Sequence, residues 1–132
     1  MPLKLTLKPN EKVLIGTAVL SNAGSKAEII IQNNVPVLRE KDIITEENAD
    51  TIGKKIYFVL LNMYVDGKNE GEYHKIYFKL INELMDALPN TENLALIMEI
   101  SQKILEGEHY LALKVCKKLL NFESELMANV TG

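Results

Sequence analysis

The sequence predicts an α+β chain: a small antiparallel β unit over residues 1–44, followed by four antiparallel helices over residues 45–132. Three observations predict it. Apolar and polar residues alternate through the first third, whereas from Thr45 onward apolar residues recur at steps of three and four. Formal charge divides at the same place. Residues 1–44 hold six cations (Lys4, Lys8, Lys12, Lys26, Arg39, Lys41) against four anions (Glu11, Glu28, Glu40, Asp42), a balance of +2, and nine cations against fourteen anions leave the rest at −5. With 132 residues, 47% hydrophobic and 25% charged, the chain suits one compact unit or two very small ones sharing a core.

Leu3, Leu5 and Leu7 alternate with Lys4, Thr6 and Lys8, which puts leucines on one face of a strand and polar groups on the other. Pro9-Asn10 marks a turn. A second strand is predicted over 13–20, with Gly16 as a bulge, and Ser21-Asn22-Ala23-Gly24-Ser25 reads as a hairpin-type connection. The β-branched run Ile29-Ile30-Ile31 centres a third strand over 27–32. A fourth, over 35–39, carries Pro36, which favours an edge. Some forty residues enclose too little core to stand alone, so the sheet is expected to pack on the helices or on a second copy of itself.

Thr45, with Glu46 and Glu47 behind it, reads as the N-cap of a helix running to Val65. Its later half is apolar nearly all round and so predicts the buried central helix. Asp66-Gly67-Lys68-Asn69 ends it. Tyr73, Ile76, Tyr77, Leu80, Ile81, Leu84, Met85 and Leu88 stripe a second helix that stops at Pro89. Asn90 or Thr91 caps a third, expected to bury Leu94, Ile97, Met98, Ser101, Ile104 and Leu105 and to end at Gly107. Tyr110, Leu113, Cys116, Leu119 and Leu120 stripe the fourth, whose periodicity fades beyond Met127.

Several function classes are excluded. A single cysteine closes no internal disulfide and no apolar leader opens the chain, so a cytoplasmic protein is expected. The longest apolar run, 56–65, is interrupted by Asn62 and is about half of what a bilayer core requires, so no membrane association is expected. Neither a Walker loop nor G-x-G-x-x-G is present. His109 and Cys116 stand two helical turns apart, on the order of 10 Å of rise, too far to share a metal, and His74 is remote from both. Cys116 on an apolar stripe reads as core, and Glu46-Glu47 and Glu123-Glu125 as helix-start charges and a solvated face. No enzyme, metal or cofactor is predicted.

The net-positive third offers one binding chemistry. Lys4, Thr6 and Lys8 project from a strand that Arg39 and Lys41 could flank, and such a row can hold phosphate oxygens while an arginine stacks on an exposed base. Lys12 adds steering charge. These residues make RNA the candidate ligand; the plain alternative is a row of solvating lysines.

The opening run from Met1 through Gly16, the block Leu38-Arg39-Glu40-Lys41-Asp42-Ile43, and Ala112-Leu113-Lys114 resemble the FlbT family of flagellin-synthesis regulators, with Lys55-Ile56-Tyr57-Phe58 and Met63-Tyr64 in support. The resemblance spans nearly the whole chain. It implies a cytoplasmic bacterial protein that acts after transcription, binding the 5′ untranslated region of flagellin messenger RNA and altering its translation or lifetime. FlaF is a partner implied in the same way.

The N-terminal third is also similar to the carbon-storage regulator (CsrA) family, through the run from Asn10 to Gly16, Asn34-Val35-Pro36 and Leu38-Arg39-Glu40-Lys41-Asp42-Ile43. That similarity implies a strand-swapped homodimer with an RNA-contacting arginine at Arg39 and first-strand contacts near Leu5, Thr6 and Leu7. Asn10 stands where that family has a turn glycine, and Leu7 where it commonly has arginine, so Lys8 would supply the charge. The helices allow a rival from another class. Gly107-Glu108-His109-Tyr110-Leu111-Ala112 resembles one end of a tetratricopeptide repeat, and an acidic helical part suits a chaperone that binds flagellin directly.

Overall fold

The computed structural model describes residues 2–87 and 91–131, with side chains of the last helix described as far as residue 126. It is an α+β chain of two compact units, residues 1–43 and 44–132.

In the N-terminal unit, β1 (Leu3–Leu7) pairs antiparallel with β4 (Ala27–Ile31), from Leu3 opposite Ile31 to Leu7 opposite Ala27. A second sheet has β2 (Lys12–Ile15) between β3 (Ala18–Ser21) and β5 (Val37–Arg39). The alternation read in β1 is real: Leu5 and Leu7 are buried with Val13, and Ile15, Ile29, Ile31 and Val37 pack around them.

The segment expected as one strand over 13–20 is instead a hairpin, so the unit has five strands rather than four. Ile15 pairs with Ala18, leaving Gly16-Thr17 as a two-residue loop, and Gly16 takes the φ of +61° that such loops demand. Its N–H donates to Pro36 O at 2.8 Å, which ties the loop to the approach of β5. The segment 21–25 consequently connects two different sheets and is not itself a hairpin turn. At the β1–β2 turn, Asn10 has φ of +66°, the left-handed conformation asparagine tolerates better than most side chains.

The second unit holds α1 (Ile52–Val65), α2 (Glu70–Ala87), α3 (Thr91–Leu105) and α4 (His109–Thr131). As expected, α1 is central: it packs on both α2 and α4, and Ile56, Leu60 and Met63 are sealed from solvent. Its start differs from the expectation. Thr45 caps only a short turn, accepting from Asn48 N–H at 3.3 Å, whereas Thr51 caps α1, accepting from Lys54 N–H at 3.1 Å. The decisive partner is Glu123. Instead of standing on a solvated face, it is buried, and its carboxylate accepts from the Thr51 hydroxyl at 2.6 Å and from Gly53 N–H at 2.9 Å. A carboxylate there meets the unpaired amides and positive end of α1.

Asp66 stops α1 and starts the 3₁₀ turn Gly67–Asn69. Its carboxylate accepts from Asn69 Nδ2 at 2.8 Å, Tyr73 hydroxyl at 3.0 Å and Lys68 N–H at 3.3 Å. The bonds from Asn69 and Tyr73 hold its carboxyl below the usual range. On α2 the residues sealed inside are Tyr77, Leu80 and Leu84, while Ile76 is exposed. The expected stop at Pro89 and the Asn90 cap lie outside the described residues.

The inward face of α3 is rotated from the one expected. Asn93, Ile97, Ile100 and Ile104 are buried, and Leu94, Met98 and Leu105 face solvent. Gly107, at φ +77°, closes α3 in a Schellman motif: Glu108 N–H donates to Lys103 O at 2.8 Å and Gly107 N–H to Ile104 O at 3.0 Å. α4 buries Ala112, Leu113, Val115, Cys116 and Leu119, and it stays helical past Met127 despite the fading periodicity.

Tyr77 crosses from α2 to α3, its hydroxyl 2.8 Å from Ser101 Oγ. Burial is the main cause that pushes its pKa up to about 12, with the Ser101 bond acting the other way. Ionisation in the unfolded chain near pH 10 therefore pulls the equilibrium toward unfolding. Stability is expected to be full below pH 10 and to fall by on the order of 2 kcal/mol between pH 10 and 12. In Tyr77→Phe that loss should be largely absent from denaturant titrations over the same window.

Candidate nucleic-acid interface

Lys4 and Thr6 lie on the outward side of β1, where alternation places them once Leu5 and Leu7 turn inward. Lys4 is exposed and pairs with Glu28 of β4 at 3.5 Å. An exposed pair of this kind holds the lysine only loosely. Lys8, just past β1, Lys12 at the start of β2, and Lys41 in the 3₁₀ turn Glu40–Asp42 are all exposed. None of these three forms an ion pair among the described residues.

Arg39, the residue expected to carry recognition, is not a free cation. Its Nη1 donates to Thr6 O at 3.2 Å and pairs with Glu11 Oε2 at 3.2 Å. The other oxygen of Glu11 accepts from Lys8 N–H at 2.9 Å. One carboxylate thus joins the end of β1 to the end of β5, and the guanidinium also donates to a backbone carbonyl of β1. The Lys8 amide first, and the Arg39 charge and bond with it, hold the Glu11 carboxyl below its usual 4.5. The Arg39 side chain keeps 32% of its surface exposed.

Asn22 holds this corner together. Its Nδ2 donates to Leu7 O, Lys8 O and Ser25 O at 3.0, 3.1 and 2.9 Å, and its Oδ1 accepts from Gly24 N–H at 3.1 Å. Its backbone accepts from Asn10 N–H and donates to Glu11 O. Arg39, Thr6 and Lys8 are therefore brought together around Glu11, and Lys12 adjoins Val13, the residue opposite Arg39. Near Leu5 and Leu7, where first-strand contacts are expected, both leucine side chains are core. The roles of Glu11 and Asn22 are not legible in the sequence. The only signal was an acid set among lysines and an asparagine in a turn.

Elsewhere, His109 Nε2 lies 2.9 Å from Glu70 Oε1, and His74 Nε2 lies 3.5 Å from the same oxygen. Cys116 is sealed, and burial, reinforced by the charge of Glu123, pushes its thiol far above the ordinary range, which suits core and not a nucleophile. Among the described residues no group of three or more His, Cys, Asp or Glu could hold a metal ion, and no helix is long and apolar enough to cross a membrane.

Residues 3–127 match the family model described as flagellar protein FlbT. A probable flagellum biosynthesis repressor protein FlbT of Caulobacter sp. (strain K31) is 35% identical over 131 residues, 99% of this chain and 100% of the relative. One from Rhodopseudomonas palustris (strain TIE-1) is 37% identical over 128 residues, 97% and 99% of the two chains. The flagellum biosynthesis repressor protein FlbT of Caulobacter vibrioides (strain ATCC 19089) is 34% identical over 132 residues, 100% and 94%. No solved structure matches, and the similarity of the N-terminal third to the carbon-storage regulator stays a resemblance of sequence alone. With its family match and these relatives aligned along nearly their whole length, the chain belongs to the FlbT family.

Proposed function

We propose that this protein regulates flagellar synthesis after transcription, binding the 5′ untranslated region of flagellin messenger RNA in the cytoplasm and altering its translation or lifetime. The observation that carries this reading is the corner of the N-terminal unit, where Arg39 is fixed by Thr6 and Glu11 among the exposed cations Lys8, Lys12 and Lys41. A rigid arginine suits a base, and mobile lysines suit phosphates. Relatives that bear the name flagellum biosynthesis repressor support a regulatory role and repression as its direction.

The test is a gel-shift titration against the flagellin 5′ untranslated region and a scrambled RNA at two salt concentrations. A specific shift that weakens with salt is expected, and Lys12→Ala with Lys41→Ala should reduce the salt slope by about two. Arg39→Ala should erase the preference for the flagellin sequence. Equal binding of both RNAs, or none, overturns the proposal.

A second reading has its own observation. A cavity of about 430 Å³ between α1 and α2 is lined by Ala49, Phe58, Val59, Ile76 and Leu80, with Glu46 and Lys55 among its polar residues. It is suited to an apolar segment of a protein such as flagellin or FlaF. Ile76→Asp would abolish that binding and leave the RNA shift intact.

A further inference from the structure

A corner that attracts phosphates gains nothing in general pull from an acid, yet Glu11 stands in this one, between Lys8 and Lys12 in sequence and against Arg39 in space. Its two oxygens have separate partners. Oε1 accepts from Lys8 N–H at 2.9 Å and so belongs to the turn, while Oε2 meets Arg39 Nη1 at 3.2 Å. The same Nη1 donates to Thr6 O. The Arg39 and Glu11 side chains are only 32% and 24% exposed, so salt screens this pair less than it screens the surface pair of Lys4 and Glu28.

A carboxylate oxygen bonded to a guanidinium occupies it as a phosphate oxygen would. Felt from a distance, Arg39 and Glu11 together carry no net charge, so the pair adds little to the attraction that the exposed lysines exert on any polyanion. At close range Glu11 repels a phosphate that approaches Arg39, and it does not repel a neutral base that stacks on the guanidinium plane. Resting on the RNA reading above, we infer that Glu11 sets the specificity of this corner: its carboxylate stands in for a phosphate on Arg39, withholds the guanidinium from the backbone of any RNA, and reserves it for a base of the preferred sequence. Glutamine separates the two duties of the side chain. It has one acceptor oxygen where glutamate has two, so in Glu11→Gln the side chain that keeps the Lys8 N–H bond turns its own NH2 toward Arg39, a donor facing a donor. The turn keeps its bond and the arginine is released.

Gel-shift titration of full-length Glu11→Gln against the flagellin 5′ untranslated region and the scrambled RNA tests this. The scrambled RNA should bind about fivefold more tightly, with a salt slope steeper by about 0.7, the increment of one added phosphate contact on a single strand. The flagellin RNA should gain less than about twofold, so discrimination falls. Glu40→Gln is the control, because Glu40 is an exposed acid next to Arg39 in sequence that forms no ion pair among the described residues. The same change in net charge there should tighten both RNAs alike and leave their ratio unchanged. In an Arg39→Ala background, Glu11→Gln should alter scrambled-RNA binding no more than Glu40→Gln does, since the guanidinium it withholds is gone. An effect that persists there would come from a loosened turn and overturn the proposal. Discrimination in Glu11→Gln equal to the parent's overturns it as well, with the RNA reading intact. A parent that does not discriminate between the two RNAs defeats that reading first, and this inference with it.

Discussion

Glu123→Ala is expected to lower the free energy of unfolding by about 3 kcal/mol, read as a fall in the denaturant midpoint without loss of cooperativity. The side chain is 8% exposed, and both oxygens are committed, one to Thr51 and one to Gly53. Truncation leaves a buried amide, worth roughly 1–3 kcal/mol, and a part-buried hydroxyl, worth less, without an acceptor, and removes a negative charge from the start of α1. Gly53→Ala tests the same contact from the other side. A Cβ at residue 53 would lie 2.7 Å from Glu123 Oε1 and 3.0 Å from its carboxyl carbon. The carboxylate can swing away only by surrendering Thr51, so this variant should lose a comparable amount. Combined with Glu123→Ala it should add little, because both changes break one contact. A loss below about 1 kcal/mol for Glu123→Ala would mean that water replaces the carboxylate at no cost.

That contact also explains where the sequence misled. Thr45 and Thr51 are both plausible N-caps, and Thr45 has the better-looking acids after it. The choice is made by a carboxylate 72 residues further on, which no local pattern contains. α3 shows the same limit. Its leucine and methionine stripe and its isoleucine stripe both recur at helical spacing, and the buried one includes Asn93, a residue that hydropathy alone sends outward. In the first unit, eight apolar-rich residues with a central glycine fit a bulged strand as well as a hairpin, and only the left-handed Gly16 separates them. What was legible was each element whose pattern is satisfied within itself: the leucines of β1, the all-round apolar half of α1, and the glycine end of α3. Of the candidate interface, the cations could be read from their charge. Glu11 and Asn22 could not, since their roles depend on β5 and the loop after β3 arriving beside the first turn.

Asn22→Ala is expected to cost about 2 kcal/mol and to act on the N-terminal unit alone. Its amide satisfies three carbonyls at once, two of them at the end of β1 and one in the loop before β4, so its loss unties both strands of one sheet together. The size of the unit magnifies the effect. Three buried side chains, Leu5, Leu7 and Val13, centre its core, and a domain of that scale holds only a few kcal/mol in reserve. Hydrogen exchange should therefore show protection lost across β1 and β4 while the amides of α1 keep theirs. Asn22→Asp discriminates the cause. It retains an acceptor for Gly24 N–H but offers no donor to the three carbonyls, so it should resemble alanine and not the parent. Unchanged protection in β1 would show that the turn is held by its backbone bonds alone. Because Lys8, Glu11 and Arg39 converge at this turn, a variant that loosens it should also lose discrimination between flagellin and scrambled RNA. Its general salt-dependent attraction should survive, since exposed lysines keep their charge whether or not the corner beneath them is ordered.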